Sequence, residues 1–109
     1  MSKALVAGDD DSISIQLTRD GATFSIDTGA TVKAAITSLD RQTVLAGPVT
    51  CLSNATGADW STGLVVAPFA SADTGSMTTF GSLRLEVEVD DSGKQTYSDS
   101  ITVISGAIP

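Results

Sequence analysis

The stretch GSLRLEVEVDDSGKQTYSDSITVIS, residues 81–105, decides the fold. Leu83, Leu85, Val87 and Val89 alternate with Arg84, Glu86 and Glu88. A period of two puts apolar side chains on one face of a strand and charged ones on the other. The polar DDSGK follows, and then a second alternating run. Asp, Ser and Gly favour tight turns, so the pattern predicts a β-hairpin pairing 82–90 with 95–105. A hairpin alone is marginal in water, so it must belong to a larger sheet.

The rest of the chain supplies that sheet. SISIQLTR (12–19) sets Ile13, Ile15 and Leu17 on one face, and RDGA (19–22) reads as a tight turn because Asp-Gly suits positive φ. TFSID (23–27) is a short or bent extension, and TGA (28–30) is a turn. TVKAAITSL (31–39) places Val32, Ala34 and Ile36 together, with Lys33 towards solvent. After the turn DRQ (40–42), TVLAGPVTCLS (43–53) reads as two short strands split at Gly47-Pro48, with Pro48 at an edge or bend. NATGAD (54–59) is a loop, WSTGLVVAPF (60–69) a strand carrying Trp60, and ASADTGSMTTFG (70–81) the longest loop, with room for one helical turn at SAD. KALVA (3–7) is a short first strand or an arm. Long runs at helical spacing are absent. Seven to nine short strands at this spacing predict an all-β antiparallel sandwich or barrel, one domain over 1–109. Residues 1–8 and 105–109 are expected to serve as docking arms that add a strand to a neighbour's sheet edge.

Composition limits the function. Hydrophobic residues are 41% and charged residues 17%, which excludes the low-hydrophobicity, high-charge regime of disorder. The net charge of −7 opposes both nucleic-acid phosphates and anionic membranes, so neither is an expected partner. Cys51 is the single cysteine, so no intramolecular disulfide forms, and it reads as a core residue. The opening residues lack a signal-peptide pattern, which implies cytoplasmic synthesis.

Catalytic residue types are few. There is no histidine, which removes Ser-His-Asp and Cys-His nucleophiles and most zinc sites. A Ser-Lys pair would need Lys3, Lys33 or Lys94. Glu86 and Glu88 sit about 7 Å apart on one strand face, but they read as a solvated face beside Arg84. Asp9, Asp10 and Asp11, and likewise Asp90 and Asp91, lack the spacing of a calcium loop and read as solvated turns. Asn54 begins a glycosylation sequon that a protein without export would not use. Catalytic, cofactor-binding and metal residues are therefore all expected to be none. Trp60 reads as core, and a carbohydrate- or receptor-binding module would have to use Trp60, Phe69, Phe80 or Tyr97.

Two segments, IDTGATVKAAI (26–36) and residues 81–105, resemble immunoglobulin-like small structural proteins of tailed phages, of the kind at the N-terminus of baseplate upper proteins and in tail- or fibre-associated proteins. Gly81, Leu85, Val87, Asp91, Gly93, Thr96, Ile101 and Val103 fall where that pattern places them, while Leu83 stands where the family has an aromatic. The resemblance implies an immunoglobulin-like sandwich in the virion, present in many copies, docking other virion structural proteins at the tail, collar or baseplate. A capsid decoration protein is the neighbouring possibility.

Overall fold

A computed structural model describes residues 3–106. It contains nine strands: β1 (Lys3–Val6), β2 (Asp11–Gln16), β3 (Thr18–Arg19), β4 (Ala22–Thr23), β5 (Thr31–Thr37), β6 (Val44–Cys51), β7 (Leu64–Phe69), β8 (Gly81–Asp90) and β9 (Lys94–Ile104). A five-stranded sheet runs β1-β9-β8-β5-β6 and faces the pair β2-β7, while β3 and β4 form a separate small hairpin. With β2 and β7 in the places of strands B and E, and β5, β8 and β9 in those of C, F and G, this is an immunoglobulin-like β-sandwich.

The hairpin predicted from residues 81–105 is the spine of the larger sheet. β8 and β9 pair from Gly81↔Val103 to Asp90↔Lys94, and β5 pairs with the other side of β8 from Thr31↔Asp90 to Thr37↔Arg84. Every apolar side chain of the alternating run points inward: Leu83, Leu85, Val87 and Val89 are all buried. They meet Ile13, Ile15, Val65, Ala67 and Phe69 from the facing pair. Burying a side chain of this size stabilises by about 1.5–3 kcal/mol, so these two inner faces dominate the stability. The Asp20-Gly21 turn joins β3 to β4 with φ of 54° and 80°, the positive values that such a turn requires.

Five expectations change. β1 pairs parallel with β9, in register from Lys3↔Ile101 to Val6↔Ile104, so the sandwich is not wholly antiparallel. Leu5 is 1% exposed, and its burial draws residues 3–6 into the chain's own sheet instead of leaving a free arm. Met1, Ser2 and residues 107–109 of the expected arms lie outside the described residues. Within residues 43–53, Val44–Cys51 form one strand, because β6 stays paired with β5 across register shifts around Gly47–Pro48. Residues 60–62 are a 3-10 turn and not the start of a strand: Asp59 caps it, accepting from Ser61 N–H at 3.2 Å, and Gly63 ends it at φ 80°. Phe24 to Thr28 form no strand; Ile26 N–H instead donates to the Trp60 carbonyl at 2.7 Å. Trp60 packs in the core as expected, with its Nε1 buried and without a hydrogen-bond partner.

Candidate docking surface

The side chains examined for chemistry are held in structural roles. Cys51 is 2% exposed, and burial pushes its thiol up to about 11, so the thiolate is scarce at neutral pH. Glu86 lies 2.6 Å from Arg41 and Glu88 3.8 Å from Lys94 on the outer face of the larger sheet. Lys3 binds Asp99 at 2.8 Å, and Lys33 is exposed on the same outer face as the glutamates. Asp11 accepts from Ser12 N–H at 2.8 Å, and Asp10 accepts from Ser71 N–H at 2.6 Å, which ties the β1–β2 loop to the short helix α1 (Ser71–Thr74). Asp90 closes the β8–β9 hairpin and Asp91 turns it. Among the described residues, no group of three or more Cys, Asp or Glu could hold a metal, and no helix is long and apolar enough to cross a membrane.

Of the four aromatics considered for ligand contact, Trp60 and Phe69 are buried at 5% and 1% exposure. Tyr97 is half-buried and stacks on Phe24 with centroids 5.7 Å apart. Arg19 lies over the Phe24 ring at 4.5 Å and donates to Gln95 Oε1 at 2.6 Å. This clamp fastens the β3–β4 hairpin to the start of β9. Sequence reasoning missed it, because Arg19 looked like a turn residue and its partner is 76 positions away. Only Phe80 remains as an exposed aromatic of the four.

Two surfaces stand out. The first is one end of the larger sheet. Ile104 ends β9, Phe80 precedes β8, Leu39 follows β5 and Val44 begins β6, and the registers Gly81↔Val103, Thr37↔Arg84 and Thr37↔Val44 bring these four strand ends together. All four are large and exposed: Leu39 63%, Val44 58%, Ile104 52% and Phe80 40%. Neighbouring strands are about 4.8 Å apart, so the four ends span roughly 14 Å across the sheet, with Val44 set back four residues along the strands from Ile104. Asp9, Asp10 and Asp11 follow β1 at this same end, and Asp40 lies in the β5–β6 turn. The Ser38 hydroxyl and Gln42 N–H hold the Asp40 carboxyl below its ordinary range. A signal for this row existed in SLDRQTV (38–44), where Leu and Val flank a turn that needs neither.

The second surface is the side of the sandwich where β2 and β9 face one another. Among the described residues, β2 pairs only with β7, and β1 pairs with β9 from Ile101 onward. A groove of about 310 Å³ opens between them, with Ile15 and Leu17 on one wall, Tyr97 and Asp99 on the other, and Leu85 and Val87 at its floor. The Lys3 ammonium, hydrogen-bonded to Asp99, holds that carboxyl below its ordinary range.

No protein-family model and no curated protein sequence matches the chain. Among solved structures, the crystal structure of the Ig1 domain of mouse SynCAM 2 is similar with a TM-score of 0.37 and 11% identity, over 96% of this chain and 92% of that one.

Proposed function

We propose that the chain is a non-enzymatic structural protein of a tailed-phage virion, an accessory docking protein of the tail, collar or baseplate. The observation that carries this reading is the row of Leu39, Val44, Phe80 and Ile104 at one end of an otherwise acidic domain. Large exposed apolar residues gathered at one place, with a polar rim, are the mark of a protein contact. The resemblance supports the virion as its setting: its two segments fold as β5 with the preceding turn and as the β8–β9 hairpin, the frame that carries the row. Many copies on a symmetric partner suit a small domain that docks through one such end.

The test is the mass of the purified protein by light scattering, alone and mixed with the virion proteins encoded beside it. The expected result is a defined complex with one of them. Leu39→Glu and Phe80→Glu, both at exposed positions, are expected to keep the melting temperature and lose the complex. If the wild type joins no virion protein, the reading fails. If both variants join as well as the wild type, the row is not the docking site. Binding to a capsid lattice instead of a tail ring would make it a decoration protein.

A further inference from the structure

The groove between β2 and β9 has two walls, and each ends in an unpaired strand edge. Antiparallel ladders alternate, so one residue in two turns its N–H and C=O towards a given neighbour. Leu17 N–H donates to the Gly63 carbonyl at 3.0 Å beside β7, and Pro68, opposite Ser12, has no N–H to give. The odd-numbered residues of β2 therefore face β7, and Ser12, Ser14 and Gln16 turn their backbone groups to the groove. Asp11 occupies the Ser12 N–H, but the N–H and C=O of Ser14 and Gln16 have no partner among the described residues. The same logic applies to β9. Asp91 N–H donates to the Gly93 carbonyl on the β8 side, and the Ile104 carbonyl accepts from Ala7 on the β1 side. Even-numbered residues thus face outward. Asp99 occupies the Ser100 N–H at 2.7 Å, while Thr96 and Ser98 lie outside the described β1 pairing.

The other edges are blunted: on the far side of β7, Leu64 is bonded to Asp59 in both directions and Pro68 has no N–H. β6 carries Pro48, which has no N–H, and a register shift beside it, devices that prevent strand addition. Strand-edge protection is thus uneven, and the open side is the one where β2 lacks a neighbour.

We infer that β2 accepts an extended segment of a partner protein as an additional strand, seated in this groove and hydrogen-bonded to Ser14 and Gln16. The segment is one of alternating character. Its inward side chains meet Ile15 and Leu17, which calls for small or β-branched apolar residues. Its outward side chains lie beside those of Ser12, Ser14 and Gln16, which are exposed, on a domain of charge −7, which calls for lysine or arginine. The domain is then an acceptor of strands, in contrast to the donor expected from its termini. This deepens the docking reading above and rests on it only for the identity of the partner as another virion protein.

The test uses the whole chain and a short synthetic peptide alternating valine and lysine, with a proline-interrupted peptide of the same composition as control. Binding of the first is expected to slow amide exchange at Ser14 and Gln16 by roughly tenfold or more, and the control is expected to leave both unchanged. Ser14→Pro removes an outward N–H without touching a β7 bond, so it should fold and weaken the peptide by at least about tenfold. No binding, binding without protection at these two amides, or equal binding of control and test peptides would each overturn the inference. Exchange in the wild type decides the matter even if Ser14→Pro fails to fold. A protein that binds the peptide but enters no virion complex would retain this inference and lose the virion reading. One that enters a complex with Ser14 and Gln16 still exchanging freely would do the reverse.

Discussion

At the scale of single residues, Asp99 shows how local contacts set the response to pH. Its carboxyl is held low, first by the hydrogen bond from Lys3, and its side chain is 44% exposed. A carboxylate whose folded value is depressed contributes stability above its unfolded value near 4 and loses it as pH falls through the folded value. Asp99→Asn keeps an oxygen for the Ser100 N–H but loses the ion pair. It should therefore lower stability at pH 7 by up to about 1 kcal/mol and match the wild type in strong acid. Thermal unfolding of both proteins at neutral and acid pH checks this, and equal curves at pH 7 would mean that the pair contributes nothing. Residue roles were legible from sequence where alternation decides them. Leu85, Val87, Ile13, Ile15, Val32 and Ile36 are buried as their spacing requires. The Arg19 clamp was not legible, because cation–π and hydrogen-bond contacts between distant segments leave no periodic trace.

At the scale of elements, local chemistry overrode the strand pattern once. WSTGLVV has the composition of a strand, yet Asp59 and Gly63 cap a 3-10 turn before β7 begins. The cap pair D-x-x-x-G was present in the sequence, and it competes with strand propensity over the same residues. Gly63 is required there. Its φ is +80°, and a Cβ would lie 2.9 Å from the Phe24 carbonyl and 3.0 Å from that of Leu17. Both are backbone atoms, so neither can swing away. Gly63→Ala should cost about 2–3 kcal/mol, a fall in melting temperature of roughly 10 °C for a domain of this size. Unfolding by heat tests it, and a change under 2 °C, on the order of 0.5 kcal/mol, would mean that the turn can be rebuilt. The parallel β1–β9 pairing was equally hard to read, since KALVA offers one inward residue, Leu5, and no partner signal. The docking groove was illegible for a related reason: a free backbone edge depends on which strand is missing beside it, and sequence describes side chains.

At the scale of the whole molecule, the sandwich form follows from period-two segments alone, whereas its open side depends on how far β1 reaches along β9. That reach also has a consequence in time. Lys3 and Asp99 touch across 96 positions of sequence, so β1 cannot find its neighbour until those further residues have been made. At ribosomal speeds of about 5–20 residues per second, β1 waits on the order of ten seconds for β9. Closing so long a loop is slow, and the β2–β7 and β5–β8–β9 contacts can form without it. β1 should therefore dock last. Leu5→Ala should cost about 2–3 kcal/mol, and nearly all of it should appear as faster unfolding with the refolding rate unchanged. Stopped-flow folding measures this directly; slowed refolding would place β1 in the nucleus. In the nascent chain, the sheet edge that β1 finally covers is the last to gain protection, so newly made copies meet their surroundings with Ile101 to Ile104 still open.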